Sequence, residues 1–258
     1  MFNIQIMKIK YRKWGLRLVA TCIVVLGLLL AIVLNPILLY ANKSNVGNYT
    51  ICSQHLPDPY FIERLNNATE LLKTSELYDG NQKLTICIND GSAFPRLVQA
   101  IQGPAFAYAY YHNVVLNGAV NARDNYVELN GYKWNLTELL AHEATHCMQS
   151  RKYGLLHSNP IARYPQWKWE GYPEYVARKN KASLSENISH LIETEHTDNN
   201  NWISFDDSTG TVIPYYKSWL LMQYCLDIRK MSYTQLLEDT TCEALFTQYM
   251  MNWYATRK

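Results

Sequence analysis

The stretch that most constrains this chain is "LVATCIVVLGLLLAIVL", residues 18–34, which runs without a single charge. After an Asn35-Pro36 interruption it resumes as "ILLYA". Together the two pieces supply roughly the twenty apolar residues that cross a bilayer as a helix. Pro36 falls near the outer end of the run, where a helix is about to stop and a missing amide costs little. Residues 1–17 carry Lys8, Lys10, Arg12, Lys13 and Arg17 and no acid. Basic residues ahead of an apolar run predict an N-terminus in the cytoplasm and the remainder outside it. A cleaved secretory signal is the competing reading. It calls for a shorter apolar core and a small-x-small cleavage site, and Leu39-Tyr40-Ala41 supplies only the last small residue. The sequence therefore favours a single-pass anchor. Residues 1–17 are a basic cytoplasmic tail, 18–40 a transmembrane signal-anchor helix, 41–48 ("ANKSNVGN") a polar linker, and 49–258 one extracytoplasmic domain.

The formal charge of +2 belongs to the tail rather than to the domain. Without the five basic residues of the tail, 19 Lys and Arg face 22 Asp and Glu. No basic stripe is visible, so nucleic acid is not an expected partner. Of the six cysteines, Cys22 lies inside the apolar run, and an oxidising compartment permits the other five to pair. Cys52 in "YTIC" and Cys87 in "LTICI" sit on similar strand-like pieces, and Cys225 and Cys242 on successive helical segments. Pairs 52–87 and 225–242 are plausible, with Cys147 left free, but sequence does not fix the connectivity.

Local signals outline an α+β domain. Asp58-Pro59 opens a helix as N-cap and first helical residue, and Phe61, Leu65, Ala68 and Leu72 mark its apolar face. "KLTICIN" (83–89), "HNVVLNG" and "NYVELNGY" read as strands, the last two ending in Asn-Gly turns. This small sheet precedes a mostly helical half. There "EGYPEYVARKNKA", "YKSWLLMQYCLDI" and "TCEALFTQYMMNWY" have helical spacing and "TDNNNWISFDDSTGT" is a polar loop.

Between the two halves stands "LLAHEATHCMQS", residues 139–150. Asn135 and Glu138 form a capping-box pattern ahead of it, and Leu136, Leu139, Leu140, Ala144 and Cys147 give the helix an apolar stripe. Cys147 falls on that stripe and reads as a buried core thiol. His142 and His146 are i and i+4, so both imidazoles leave one helix face a turn apart. So placed, they take two corners of a tetrahedron around Zn2+. Glu143 lies about 100° around the helix from His142, too far to share the metal, and is the natural general base for a water bound there. The other histidines, His55, His112, His157, His190 and His196, have no ligand spacing.

A longer metzincin motif would need Gly at 149 and His at 152, where this chain has Gln149 and Lys152. Downstream, "WKWEGYPEYVAR" (167–178) resembles the gluzincins, the zinc peptidases that include thermolysin and the aminopeptidase N group. Their third ligand lies on a following helix in a W-x-x-E-G-x-x-x-Y/F setting, which Trp167, Glu170, Gly171 and Tyr175 match. The resemblance covers roughly residues 110–230 and is specific at 142–146 and 167–175. It implies a zincin-like catalytic domain with one Zn2+ on His142, His146 and Glu170. It also implies Glu174 as a carboxylate orienting the first histidine, where the thermolysin branch usually has Asp. Pro173 fits if its helix begins near Trp169. "IPYYKSWLLMQYCLD" (213–227) resembles the family's Tyr-x-Lys segment, implying Tyr215, with Tyr216 as substitute, as hydrogen-bond donor to an oxyanion. The amine-binding Gly-x-Met-Glu-Asn strand of the aminopeptidases has no counterpart in "GPAFAYAYYHNVVLNG". An edge strand pairing with an extended peptide or protein substrate is still implied there. Endopeptidase action is the expectation. A surface-anchored binding or scaffold domain that retains the fold without cleaving anything is the alternative, and the intact Glu143 speaks against it.

Overall fold

A computed structural model of the chain describes residues 2–179, 181–197 and 201–257. Asn180, Asp198, Asn199 and Asn200, which fall in the "EGYPEYVARKNKA" segment and the polar loop, lie outside the described residues. The chain is of mixed α and β type, with one apolar N-terminal helix, α1 (Phe2–Leu34). Within it, Lys13–Ile32 is long and apolar enough to cross a membrane, and none of its residues is buried against the rest of the chain. At 1.5 Å per residue those 20 residues span about 30 Å.

The expected span of 18–40 is shifted. The helix ends at Leu34, and Pro36–Leu39 form a 3-10 turn that belongs to the domain. Pro36 is buried there. The Leu39 carbonyl accepts from Gln54 Nε2 (3.2 Å) and Ser92 Oγ (3.0 Å), and the Tyr40 hydroxyl donates to the Ile88 carbonyl. The linker reading of 41–48 is also corrected. Asn42–Val46 is a strand, β1, paired antiparallel with β2 (Tyr49–Ser53) across a tight turn where Gly47 has φ 56°. Its polarity suits an edge strand with one side in water, which composition alone reads as a linker.

Strands β3 (Leu84–Cys87), β4 (Ala107–Tyr110) and β5 (Asn113–Leu116) complete a mixed sheet of order β1-β2-β3-β5-β4. β2, β3 and β5 run parallel, while β4 is antiparallel to β5 and ends the sheet as an edge. The period-2 alternation of these strands sorts their side chains. Ile51, Ile86 and Val114 enter the main core with residues of α2 (Pro59–Leu72). Cys52, Cys87 and Val115 face α3 (Ala93–Gln102) through Phe94 and Val98. Cys52 and Cys87 stand at one register of adjacent strands, both free thiols. Cys225 is buried and Cys242 exposed, each free, so that pairing is not formed. A three-stranded meander follows: β6 (Ala119–Asn121), β7 (Tyr126–Leu129) and β8 (Tyr132–Asn135).

The rest is largely helical: α4 (Leu136–Tyr153), α5 (Gln166–Ala177), α6 (Leu184–Thr197), α7 (Ile213–Gln223), α8 (Tyr233–Glu238) and α9 (Glu243–Ala255). A hairpin, β9 (Trp202–Ser204) and β10 (Gly210–Val212), precedes α7. α4 lies against β4 and β5 on one side and α5 on the other, and α5 packs in turn on α7. A Cβ on Gly171 would come within 2.7 Å of the Ser218 carbonyl oxygen, so glycine is what lets α5 and α7 approach so closely.

Candidate metal centre

α4 starts where the Asn135 side chain accepts from the Glu138 amide at 3.1 Å and stops at Gly154, φ 75°. Its apolar side is fully committed: Leu139, Leu140, Ala144 and Cys147 are buried, and the Cys147 thiol faces the Asn113 carbonyl. Cys147 therefore belongs to the core, and burial pushes its pKa up. The adjacent helix face presents His142 and His146 to Glu170 of α5. His142 Nε2 and His146 Nε2 are 3.2 Å apart, and Glu170 Oε2 lies 3.1 Å from the second and 3.5 Å from the first. Among the described residues this is the group whose donor atoms converge as metal ligands do, all within 4.8 Å of one another.

Each imidazole has a neighbour at its far nitrogen. His142 Nδ1 lies 3.0 Å from the carboxylate oxygen Oε1 of Glu174. His146 Nδ1 is 2.8 Å from Gln149 Oε1. The Gln149 amide is oriented by its nitrogen, which donates to the Trp169 carbonyl (3.0 Å) and the Tyr233 hydroxyl (2.6 Å). A carbonyl only accepts, so Gln149 must turn its oxygen to His146, and His146 must carry its proton on Nδ1. The two Nε2 atoms face each other and Glu170. Burial raises the Glu170 carboxyl, but His146 and His142 outweigh that and hold it well below the usual range, as a carboxylate. Two imidazole nitrogens and a carboxylate oxygen thus converge on one spot, where a cation fits. For ligands about 2.0–2.1 Å from a tetrahedral ion, the edges come to about 3.3–3.4 Å, which matches the three observed. The set of two imidazoles and one carboxylate fits a small divalent metal.

The outer partners are themselves anchored. Glu174 is fully buried and paired with Arg178, whose Nε lies 3.3 Å from Glu138 Oε2. Lys181 meets the other oxygen of Glu138 at 2.5 Å. The Arg178 guanidinium sits over Trp134 and Phe205 at 5.4 Å and Trp219 at 5.8 Å. A buried carboxylate needs such a cation behind it to stay ionised.

The expectation that α5 begins near Trp169 is overturned. It begins at Gln166, which puts Pro173 inside the helix. Proline has no amide to give the carbonyl four residues back, and that carbonyl is Trp169's, the one Gln149 uses. The break in the helix ladder is what positions the His146 partner.

Glu143 lies beside the triangle and is nearly buried. Burial raises its carboxyl pKa, the two imidazoles partly offsetting this and Glu170 adding to it. Both line a cavity of about 690 Å³ together with His142, His146 and Tyr215. Tyr215 stacks on His142, ring centroids 5.9 Å apart, with its hydroxyl in hydrogen-bond reach of Glu170. Burial and the neighbouring carboxylates raise its pKa, so it keeps its proton. Tyr216 is elsewhere. It is fully buried with its hydroxyl on the Asn187 carbonyl (3.2 Å) and side chain (3.1 Å). Successive helix residues point about 100° apart, so one of the two tyrosines had to turn away. Residues 104–109, which include the first part of the β4 edge, form one wall of the cavity.

Gln149, Arg178 and Trp134 are the site residues that sequence reading does not single out. Gln149 alone leaves a signal, its i+3 offset from His146. Arg178 and Trp134 arrive through tertiary packing and leave none. No known protein family, curated protein or solved structure matches this chain.

Proposed function

We propose that the protein is a membrane-anchored zinc peptidase of the gluzincin type, a zincin-like domain held outside the cytoplasm that cuts within extended peptide chains. The observation that carries this reading is the convergence of His142 Nε2, His146 Nε2 and Glu170 Oε2 beside the buried Glu143. These three atoms would hold Zn2+, which when bound supplies a Lewis acid for the scissile carbonyl and makes water acidic enough to lose a proton near neutral pH. Glu143, beside that spot, would accept a proton from the attacking water and pass it to the leaving amine. The Tyr215 hydroxyl, kept protonated by its surroundings, donates a hydrogen bond to the developing oxyanion. The open edge of β4 offers backbone donors and acceptors to an extended substrate, as an added strand would need.

Charge in the cavity favours internal bonds. Its described lining contains no Lys, Arg or Asp, and both of its glutamates, Glu143 and Glu170, have roles in the chemistry. Neither end of a peptide finds a countercharge reserved for it. The basic N-terminal tail supports a domain on the outer side of the membrane.

The test is Glu143→Gln in the full-length protein. Bound zinc is expected to equal that of the unaltered protein, while hydrolysis of an unfolded protein falls by about 10²-fold or more, the usual cost of losing a general base. Hydrolysis at the original rate would overturn the mechanism. An unaltered protein that binds zinc tightly and cuts nothing would instead be a metal-holding binding domain.

A further inference from the structure

Residues 36–40 do more than connect. The Leu39 carbonyl is gripped by Gln54 and Ser92, Tyr40 stacks against Phe94 at 6.2 Å, and Asn42 Nδ2 donates to the Gln54 carbonyl at 2.6 Å. Asp90 Oδ2 accepts from the Gln54 and His55 amides, tying the loop after β2 to the loop after β3. All of this lies at one end of the five-stranded sheet, the end toward which β2, β3 and β5 run. That end is where α1 arrives, with no slack chain between Asn35 and the first packed residue.

The same end carries apolar side chains in the open. Leu56 is 82% exposed and Leu38 70%. Lys43 and Arg96 are exposed nearby. The site reaches this end too. Asn89 Nδ2 bonds the Asn117 carbonyl, and the Asn117 amide bonds the carbonyl of Phe106, so the Pro104–Phe106 end of the cavity is level with the loop after β3. Ser150, on the last turn of α4, and Asn159 and Pro160 after it also line the cavity.

We propose that the sheet end formed by residues 36–40, 53–56 and 88–94 rests on the phospholipid surface that α1 crosses, with Leu38 and Leu56 in the interface and one end of the metal cavity facing the bilayer. The occupant follows from continuity. The helix that crosses the bilayer enters this face directly, and exposed leucines flanked by cations suit acyl chains below phosphate headgroups. β4 covers about 13 Å at 3.3 Å per residue, so the cavity stands within tens of ångströms of the lipid. The substrates it meets first are then segments of proteins held in the same membrane. This substrate class rests on the peptidase reading, whereas the lipid contact rests only on the anchor.

The test uses the full-length chain in phosphatidylcholine–phosphatidylglycerol vesicles, with Cys22→Ser and Cys242→Ser to remove the exposed thiols. Single nitroxide labels are placed at Leu38→Cys, Leu56→Cys and, at the far end, Leu156→Cys, which is 72% exposed in the native chain. Collisions with oxygen, which concentrates in lipid, are compared with collisions with a water-soluble nickel chelate. Positions 38 and 56 are expected to give an oxygen-to-nickel ratio several-fold above position 156. The proposal is overturned if position 56 behaves like 156, if 156 is the lipid-facing one, or if 56 is shielded from both reagents, as a protein partner would do. Neither metal nor hydrolysis enters the readout, so the lipid contact and the peptidase reading fail separately.

Discussion

Gln149 shows how a single side chain is placed by its neighbours' backbone. Pro173 removes one helix hydrogen bond, the released Trp169 carbonyl takes the Gln149 amide, and the Gln149 oxygen then fixes the proton of His146. Outer partners of this kind typically govern metal affinity by 10- to 100-fold. Gln149→Leu is therefore expected to weaken zinc binding by about that factor, as measured by competition with a chromogenic chelator. Affinity equal to that of the unaltered protein would show that His146 needs no partner. At this scale the sequence was informative wherever chemistry is local. His142, Glu143 and His146 are fixed relative to one another by helix geometry, and the chain brings Glu170 to them from another helix. Tyr215 was preferred to Tyr216 only through the family's Tyr-x-Lys spacing, because helix phase relative to a distant cavity is a tertiary property. Pro173 was misplaced for the same kind of reason: proline argues against a helix interior until a side chain elsewhere satisfies the carbonyl it abandons.

Among the elements, the contact of α5 with α7 does most to assemble the site, since it sets Glu170 opposite Tyr215. Gly171 makes that contact. Alanine there would press on the Ser218 backbone, which cannot swing aside as a side chain would. Gly171→Ala is expected to destabilise the fold by about 1–3 kcal/mol, the cost of overpacking, seen as a melting temperature several degrees lower. An unchanged melting temperature would mean the two helices separate freely. Strands with apolar alternation and clear turns, such as Leu84–Cys87 and Tyr126–Leu129, were legible in the sequence. β1 was not, because its polar residues read as a linker, whereas an edge strand at β4 was implied by the family resemblance rather than by its own alanines and tyrosines. Those two strands are the borders of the sheet, where composition says least about backbone pairing.

For the whole molecule, the proposed metal ligation has a consequence for stability. An ion that binds only the folded chain adds RT ln(1 + [L]/Kd), about 2.7 kcal/mol at a hundredfold excess over Kd. Removing metal with a chelator is expected to lower the melting temperature, and returning zinc to restore it. Identical melting with and without chelator would sink the assignment of these residues as ligands.

The locked turn at Pro36–Leu39 has a mechanical consequence as well. Lys13–Ile32 matches a hydrocarbon layer of about 30 Å. In a thinner membrane a helix of that length leans over. A domain joined through a flexible tether would stay level while its anchor tilted. Here the Leu39 carbonyl is clamped on two sides, so, if α1 spans the membrane as proposed, a lean of the helix would pass into the sheet and swing the cavity with it. Bilayer thickness would then set the angle at which the cleft meets its surroundings.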